Sequence, residues 1–275
     1  MPELPETETI ARDLDRTVSG ATIASVKVHR VDVLRDITAA ALSRRVAGAR
    51  IQRSYRRAKA VVILLDTNDR IVVQPRFTGA LLVDDGTLPA EALRYVTISF
   101  PLHDGRALAY RDIRRLGTVA LMSPARFAKF DAALGPEPLD PAFTPQHLSG
   151  ILRDSRQAVK KLLMDQRRVA GVGNIYANEA LWRAGIDPSR AAHRISEAEA
   201  ASLHAGLTSV LREAIVARGT SFRDYRDASG ARGGFAGLLA AYGRGGLPCP
   251  RCGATLVDTS AIDGRTTVFC ARCQR

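Results

Sequence analysis

The sequence predicts an α+β fold, on three observations. Short β-rich runs crowd the chain from Ala21 to about Leu121, helical periodicity takes over after Ser123-Pro124, and all four cysteines fall in two CxxC pairs at the C-terminal end. The strand-like runs are Val26-Lys27-Val28, Ala60 to Leu65, Arg70 to Val73, Ala80 to Val83 and Tyr95 to Phe100. Turn residues such as Asn68-Asp69 and Asp104-Gly105 separate them, so many short strands in succession predict a β-sandwich. A flanking helix precedes them: Thr7 to Val18 sets Ile10, Leu14 and Val18 on one face. No internal repeat is visible.

The C-terminal half reads as helices. Ser123-Pro124 and Thr144-Pro145 each pair a cap with a proline suited to the first helical turn. Gln157 to Met164 continues the helical character, and Asn174 to Ala184 forms a helix that Gly185 ends. Ser196-Glu197-Ala198-Glu199 is a capping box opening a long helix to about Arg218. Leu134 to Leu139, with two prolines and a glycine, reads as an interdomain link, and Gly219 to Gly246 as a flexible loop rich in Gly, Arg and Asp.

Cys249-Pro250-Arg251-Cys252 and Cys270-Ala271-Arg272-Cys273 have the spacing of a zinc site, because each pair forms a tight turn that puts two thiolates on one tetrahedral ion. Ala254 to Val257 and Thr266 to Phe269 read as two strands around Asp263-Gly264, giving a hairpin zinc finger. Two disulfides are the alternative, but nothing in the chain suggests an oxidising compartment. No signal peptide and no apolar run of membrane-spanning length is present, which predicts a soluble intracellular protein.

Forty Lys and Arg against 28 Asp and Glu give a formal charge of +12, with arginine heavily preferred. That balance favours polyanions, and arginine suits bidentate phosphate contacts. No basic amphipathic helix suggests a membrane surface. Gly171-Val172-Gly173-Asn174 opens a helix whose free N–H groups would suit a phosphate; an ordinary helix–helix turn is the alternative.

The chain starts Met1-Pro2-Glu3-Leu4-Pro5-Glu6. A methionine before proline is normally clipped, which would leave Pro2 with a free secondary amine beside the Glu3 carboxylate. An α-amino group titrates at about 8, so part of it is nucleophilic near neutrality. Attack by a secondary amine on a sugar C1′ gives an iminium directly, the electron sink that lyase chemistry needs. The alternative is that Pro2 and Pro5 only stiffen a terminus.

Together with Arg57-Ala58-Lys59, Asp112 to Gly117, Leu134 to Leu139, GVGNIYANE at 171–179 and Tyr242-Gly243-Arg244, these motifs run the full length in order. The sequence resembles bacterial formamidopyrimidine-DNA glycosylases, in the family that also holds endonuclease VIII-type enzymes. The resemblance implies three domains: an N-terminal catalytic β-sandwich (1–135), a helix–two-turn–helix DNA-binding domain (136–240) and a zinc finger (241–275). It implies double-stranded DNA carrying oxidised or abasic sites as partner, one structural Zn2+, and a cytoplasmic, nucleoid-associated bacterial protein. Nothing requires more than a monomer.

By that resemblance Pro2 is the nucleophile, Glu3 the proton-handling carboxylate and Glu6 a further carboxylate near the site, for which a capping role is the alternative. Lys59 contacts phosphate and serves β-elimination. Asn174 holds a phosphate, Lys160 lies near the lesion, and Arg265 clamps phosphates and serves δ-elimination. Arg114 fills the gap left by an everted base. The other two gap-filling positions depart from the family pattern: Gln74 to Gly79 replaces a His-Leu-Gly-Met-Ser-Gly stretch, and Leu116 stands where phenylalanine is usual. Phe77 and Leu116 supply one aromatic and one aliphatic wedge, with places exchanged. The Leu4-containing start and the loop from Thr220 to Phe235 match the oxidised-purine branch. The expected activity is excision of 8-oxoguanine and formamidopyrimidines followed by β,δ-elimination. Action on oxidised pyrimidines and a non-catalytic damaged-DNA-binding zinc protein are the alternatives.

Overall fold

The computed structural model describes residues 2–275; Met1, whose removal the sequence reading requires, lies outside the described residues. Two compact units result: the chain up to Ala132 with Ala217–Gly234, and Ala133–Val216 with Phe235–Arg275.

The first unit begins with helix α1 (Leu4–Val18), three residues earlier than the periodicity suggests, because Pro5 is tolerated in a first turn whose N–H groups are unpaired anyway. Ile10, Leu14 and Val18 are fully buried, as their spacing predicts. There follow β1 (Lys27–Val28), α2 (Ala39–Val46), β2 (Ile51–Arg57), β3 (Ala60–Leu65), β4 (Arg70–Gln74) and β5 (Gly79–Asp84). The short α3 (Ala90–Leu93), then β6 (Val96–Pro101), β7 (Ala107–Asp112), β8 (Thr118–Met122) and α4 (Pro124–Ala132) complete it.

The strands form two four-stranded antiparallel sheets, ordered β1-β6-β7-β5 and β2-β3-β4-β8. Leu81, Ile98, Phe100 and Leu108 of one share a core with Val61, Ile63, Ile71 and Val119 of the other, the sandwich expected. The unbroken apolar run of β3 has a simple cause. Val61, Ile63 and Leu65 face that core, while Ala60 and Val62 face a second cluster with Val72, Ala120 and Phe127 of α4.

Strand β2 escaped the sequence reading because Ile-Gln-Arg-Ser-Tyr-Arg-Arg carries three arginines and only Ile51 and Ser54 are buried. It is an edge strand, where charge is tolerated. The segment 217–234 also differs from expectation. Its composition reads as flexible, yet Tyr225 and Ala228 join the core and the Val83 N–H donates to the Ala228 carbonyl at 2.9 Å. A buried ring, ion pairs and bonds to distant residues hold it, which composition cannot reveal.

The second unit contains α5 (Pro145–Arg153), α6 (Val159–Met164), α7 (Asn174–Ala184) and α8 (Glu197–Val216), then β9 (Val257–Thr259) and β10 (Thr267–Phe269). Gly185 ends α7 in the left-handed conformation (φ 72°). The capping box before α8 forms as predicted: Ser196 N–H donates to Glu199 at 2.8 Å, and Glu199 N–H donates to the Ser196 hydroxyl at 3.3 Å. Hydrogen bonding by Arg190 holds the Glu199 carboxyl at about 2. The first strand of the zinc hairpin lies later than expected. Ala254 and Leu256 pair instead with Cys249, Leu247 and Gly246 around the first cysteine knuckle, so only Val257–Thr259 are left to pair with Thr267–Phe269. No helix among the described residues is long and apolar enough to cross a membrane.

One side chain ties the approach to the hairpin onto α7. Glu179 is fully buried and accepts the N–H groups of Ala240, Ala241 and Tyr242 at 3.0, 2.8 and 2.8 Å. Glu179→Gln replaces one acceptor oxygen with a donor facing these groups. Urea unfolding should register a loss of about 1.5–3 kcal/mol, the range for hydrogen bonds to a charged group.

Candidate active site

The candidate catalytic residues Pro2 and Glu3 lie at the start of α1. Glu3 is the N-cap, and a reciprocal capping box links its side chain to the Glu6 N–H while the Glu3 N–H donates to Glu6 Oε2 at 2.8 Å. Both carboxylates are almost wholly buried (2 % and 1 % exposed), and Pro2 is buried beside them. The positive end of the helix dipole compensates the negative charge placed there. Glu6 also accepts the Thr220 N–H at 2.7 Å, and the Tyr225 hydroxyl donates to the Glu6 carbonyl at 3.3 Å. Glu6 therefore has the capping role that the sequence left open, and it connects the start of the chain to the 217–234 segment.

Lys59 sits in the two-residue turn between β2 and β3, half-buried, after Ala58 in a left-handed conformation (φ 51°). Arg56 fixes this turn to α1: it donates to the Ala58 carbonyl at 3.1 Å and to Glu8 at 2.9 Å. Arg57 is paired with Asp131.

Phe77, Arg114 and Leu116 lie on two loops, 75–78 and 113–117, and are all exposed. The Arg114 guanidinium carbon stands 5.2 Å from the centre of the Phe77 ring, so these two candidate wedges stack on one another. Asp112, 1 % exposed, joins the loops. It accepts the Thr78 hydroxyl (2.5 Å), the Gly117 N–H (2.7 Å) and the Tyr110 hydroxyl (3.2 Å), while the Arg114 N–H donates to Thr78 Oγ1 at 2.9 Å. Burial first, and then the Asp112 charge, push the Tyr110 phenol upward, so it remains a donor. Gly117 has no substitute, because a Cβ there would lie 1.9 Å from the Tyr110 oxygen. Beside the second loop opens a cavity of about 700 Å³ lined by His29, Arg30, Arg94, Tyr95 and Arg115, a basic surface suited to phosphate.

In the second unit, Asn174 begins α7 behind Gly173, after Gly171 (φ 80°). Gln166 shapes this turn by donating to the Met164 and Val172 carbonyls and accepting the Gly171 N–H, all at 2.8–2.9 Å. Asn174 Nδ2 donates to the Thr266 carbonyl at 2.9 Å, next to exposed Arg265. Lys160 is fully buried, and its ammonium is met by Thr267 Oγ1 (2.8 Å), both Asp263 oxygens (3.3 Å) and the Thr266 carbonyl (3.3 Å). A buried charge needs such partners. What Lys160 touches is thus the turn that presents Arg265, rather than the surface, and any service to DNA runs through that turn.

The four cysteines come together, with all four sulfurs within 4.8 Å of one another. A tetrahedral ion with Zn–S bonds of about 2.3 Å sets its sulfurs about 3.8 Å apart, so the donor set fits zinc. Four thiolates close the shell and leave no position for water, which makes the metal structural. Leu256, Val268 and Trp182 pack around it, and Arg251 lies 4.6 Å from the Trp182 ring centre while donating to the last carbonyls of α7.

Sequence reading alone missed Asp112, Gln166 and Glu179 as organisers. Each stands inside or beside a recognisable motif, but each works through partners that no spacing rule identifies. Asp112→Asn should cost about 1–3 kcal/mol in urea unfolding and should accelerate amide exchange at Gly117. Cys252→Ser should lower bound zinc, measured by elemental analysis, from close to one ion per chain to a small fraction.

Three family profiles match in sequence order: "Formamidopyrimidine-DNA glycosylase N-terminal domain" over residues 1–119, "Formamidopyrimidine-DNA glycosylase H2TH domain" over 134–226, and "Zinc finger found in FPG and IleRS" over 246–275. Formamidopyrimidine-DNA glycosylase of Roseiflexus sp. (strain RS-1) is 40 % identical, with all of both chains covered. That of Chloroflexus aggregans is 42 % identical over all of this chain and 98 % of the relative. Among solved structures, Lactococcus lactis Fpg (MutM) in complex with N7-benzyl-Fapy-dG DNA superposes with a TM-score of 0.91 at 30 % identity over all of both chains. The MutM (Fpg) protein of Thermus thermophilus gives 0.87 at 36 % identity, covering 99 % of this chain and 98 % of that one. The chain belongs to the formamidopyrimidine-DNA glycosylase family.

Proposed function

We propose that the protein excises oxidised purines from duplex DNA and then nicks the abasic site by β,δ-elimination through a Schiff base on Pro2. The observation that carries this reading is the buried start of α1, where Glu3 and Glu6 occupy a reciprocal capping box directly beside Pro2. A carboxylate fixed one residue from the amine secures the proximity that general acid–base catalysis needs. Relatives along the whole length and solved complexes of L. lactis Fpg with Fapy-dG DNA and with abasic DNA support it.

In the proposed reaction the free Pro2 nitrogen bonds to C1′ of the damaged nucleotide, and the glycosidic C1′–N bond breaks with its electron pair leaving on the base, which takes up the proton that the Pro2 nitrogen loses. Glu3 protonates the sugar ring oxygen, the ring opens, and the nitrogen lone pair forms the iminium. The iminium acidifies the C2′ proton. Its removal, assigned with Lys59, expels the 3′-phosphate, and a second elimination expels the 5′-phosphate. Hydrolysis of the iminium frees Pro2. A guanidinium serves a phosphate by paired N–H donors, so Arg265 acts first as a phosphate clamp, with Asn174 as a second phosphate contact. Reaching the base requires everting it. Phe77, Arg114 and Leu116 fill the gap, and the segment 220–235 covers the base. The bacterial relatives fit a site of action on the nucleoid in the cytoplasm.

Borohydride reduction on an abasic-site duplex should leave a covalent protein–DNA adduct that disappears in Pro2→Gly or when Met1 is retained. A non-catalytic DNA-binding protein leaves no adduct. With duplexes carrying 8-oxoguanine, formamidopyrimidine, thymine glycol or dihydrouracil, the purine lesions should be cut fastest; faster cutting of the pyrimidine lesions would overturn the substrate assignment.

A further inference from the structure

Arg218 occupies an unusual place. Its φ of 61° lies in the left-handed region, which side chains other than Gly, Asn and Asp seldom enter. Something must compensate, and the side chain supplies it. Nε and Nη2 donate to Asp227 Oδ2 at 2.9 and 2.6 Å, and Nη2 also reaches Asp13 Oδ2 at 2.5 Å. The Asp227 side chain is fully buried and that of Asp13 is 9 % exposed, so both carboxylates depend on partners. Arg16 takes the other oxygen of Asp13, and the Ser229 and Ala231 N–H groups and the Ser229 hydroxyl take the other oxygen of Asp227. Arg218 thus joins α1 to the inner turn of the 217–234 segment.

The neck of that segment is built for close approach to Glu6. Gly219 has φ 86°, and a Cβ there would lie 3.0 Å from Glu6 Cγ and Oε1. Gly233 passes so near the Gly219 carbonyl that a Cβ would lie at 2.3 Å. Thr220 pairs with Gly234, and its N–H reaches Glu6. Hydrogen bonds donated to Asp13 and then Asp227, against burial, raise the Arg218 pKa, so its charge is permanent.

We propose that Arg218 is a positioning residue for base excision: its guanidinium, clamped between Asp13 and Asp227, seats the 217–234 segment on α1. The proposal rests on the base-excision reading above. On that reading the segment, whose Phe222 and Arg223 are exposed, covers the everted base, whereas an abasic sugar carries nothing for it to hold. Arg218 should therefore govern excision and spare nicking of a preformed abasic site.

The test compares the wild-type protein with Arg218→Gly and Arg218→Lys. Glycine suits φ 61°, so the first variant keeps the backbone and removes only the clamp. In Arg218→Gly, exchange of the amides at 219–222 should quicken by about tenfold or more, as expected when charged hydrogen bonds holding a local element are lost. Single-turnover excision from an 8-oxoguanine duplex should fall by a similar factor, with abasic-site nicking within about threefold of wild type. Arg218→Lys, which keeps a charge, should recover most of the excision. Unchanged exchange at 219–222 in Arg218→Gly, or equal losses of excision and nicking, would overturn the proposal. If the wild-type protein excises no base, the base-excision reading fails by itself, while the exchange comparison still decides whether Arg218 seats the segment.

Discussion

Two carboxylates buried side by side repel each other, and keeping Glu3 and Glu6 at the first turn of α1 is the constraint on which much of the N-terminal unit depends. The solution is to supply backbone donors. Each carboxylate takes an N–H from the other residue's main chain, the helix dipole adds favourable potential, and Glu6 draws a further N–H from Thr220. A capping box is ordinarily a device for starting a helix. Here it also holds the Glu3 carboxylate at a fixed distance from Pro2, the arrangement the proposed chemistry needs. The Thr220 bond also ties the 217–234 segment to this turn.

A comparable logic governs the loops that present Phe77, Arg114 and Leu116. The exposed side chains can vary because what fixes them is beneath: Asp112 gathers three donors from Thr78, Tyr110 and Gly117. That explains how the chain tolerates Gln74 to Gly79 in place of the family's usual stretch. Stacking of Arg114 on Phe77 gives this candidate wedge a defined partner. In the second unit, buried Lys160 and Asn174 converge on the Thr266 carbonyl. The zinc closes one end of the hairpin, and these two residues fix the other, where Arg265 projects.

Much of this was legible in the residues themselves. Local rules decide where a helix starts, where glycine ends one and which thiols share a metal. The α7 boundary at Gly185, the Ser196 capping box, the strand Ala60–Leu65 and the four cysteines were accordingly all readable, and the motifs around Pro2, Lys59 and Asn174 marked the candidate site. Strand β2 was not, because an edge strand rich in arginine lacks the apolar alternation that marks a strand.

Only the tertiary structure decided the use of the buried charges. Lys160 reads as a lysine near the lesion until Asp263 is found against it. Glu179 reads as a helix residue until three distant N–H groups converge on it, and Arg218 as the end of a long helix until Asp13 and Asp227 enclose it. Local sequence sets backbone preference over a few residues, where the chain's own stereochemistry dominates. The fate of a charged side chain depends on which partners the fold brings within about 3 Å, the reach of a hydrogen bond, and those partners lie far away along the chain.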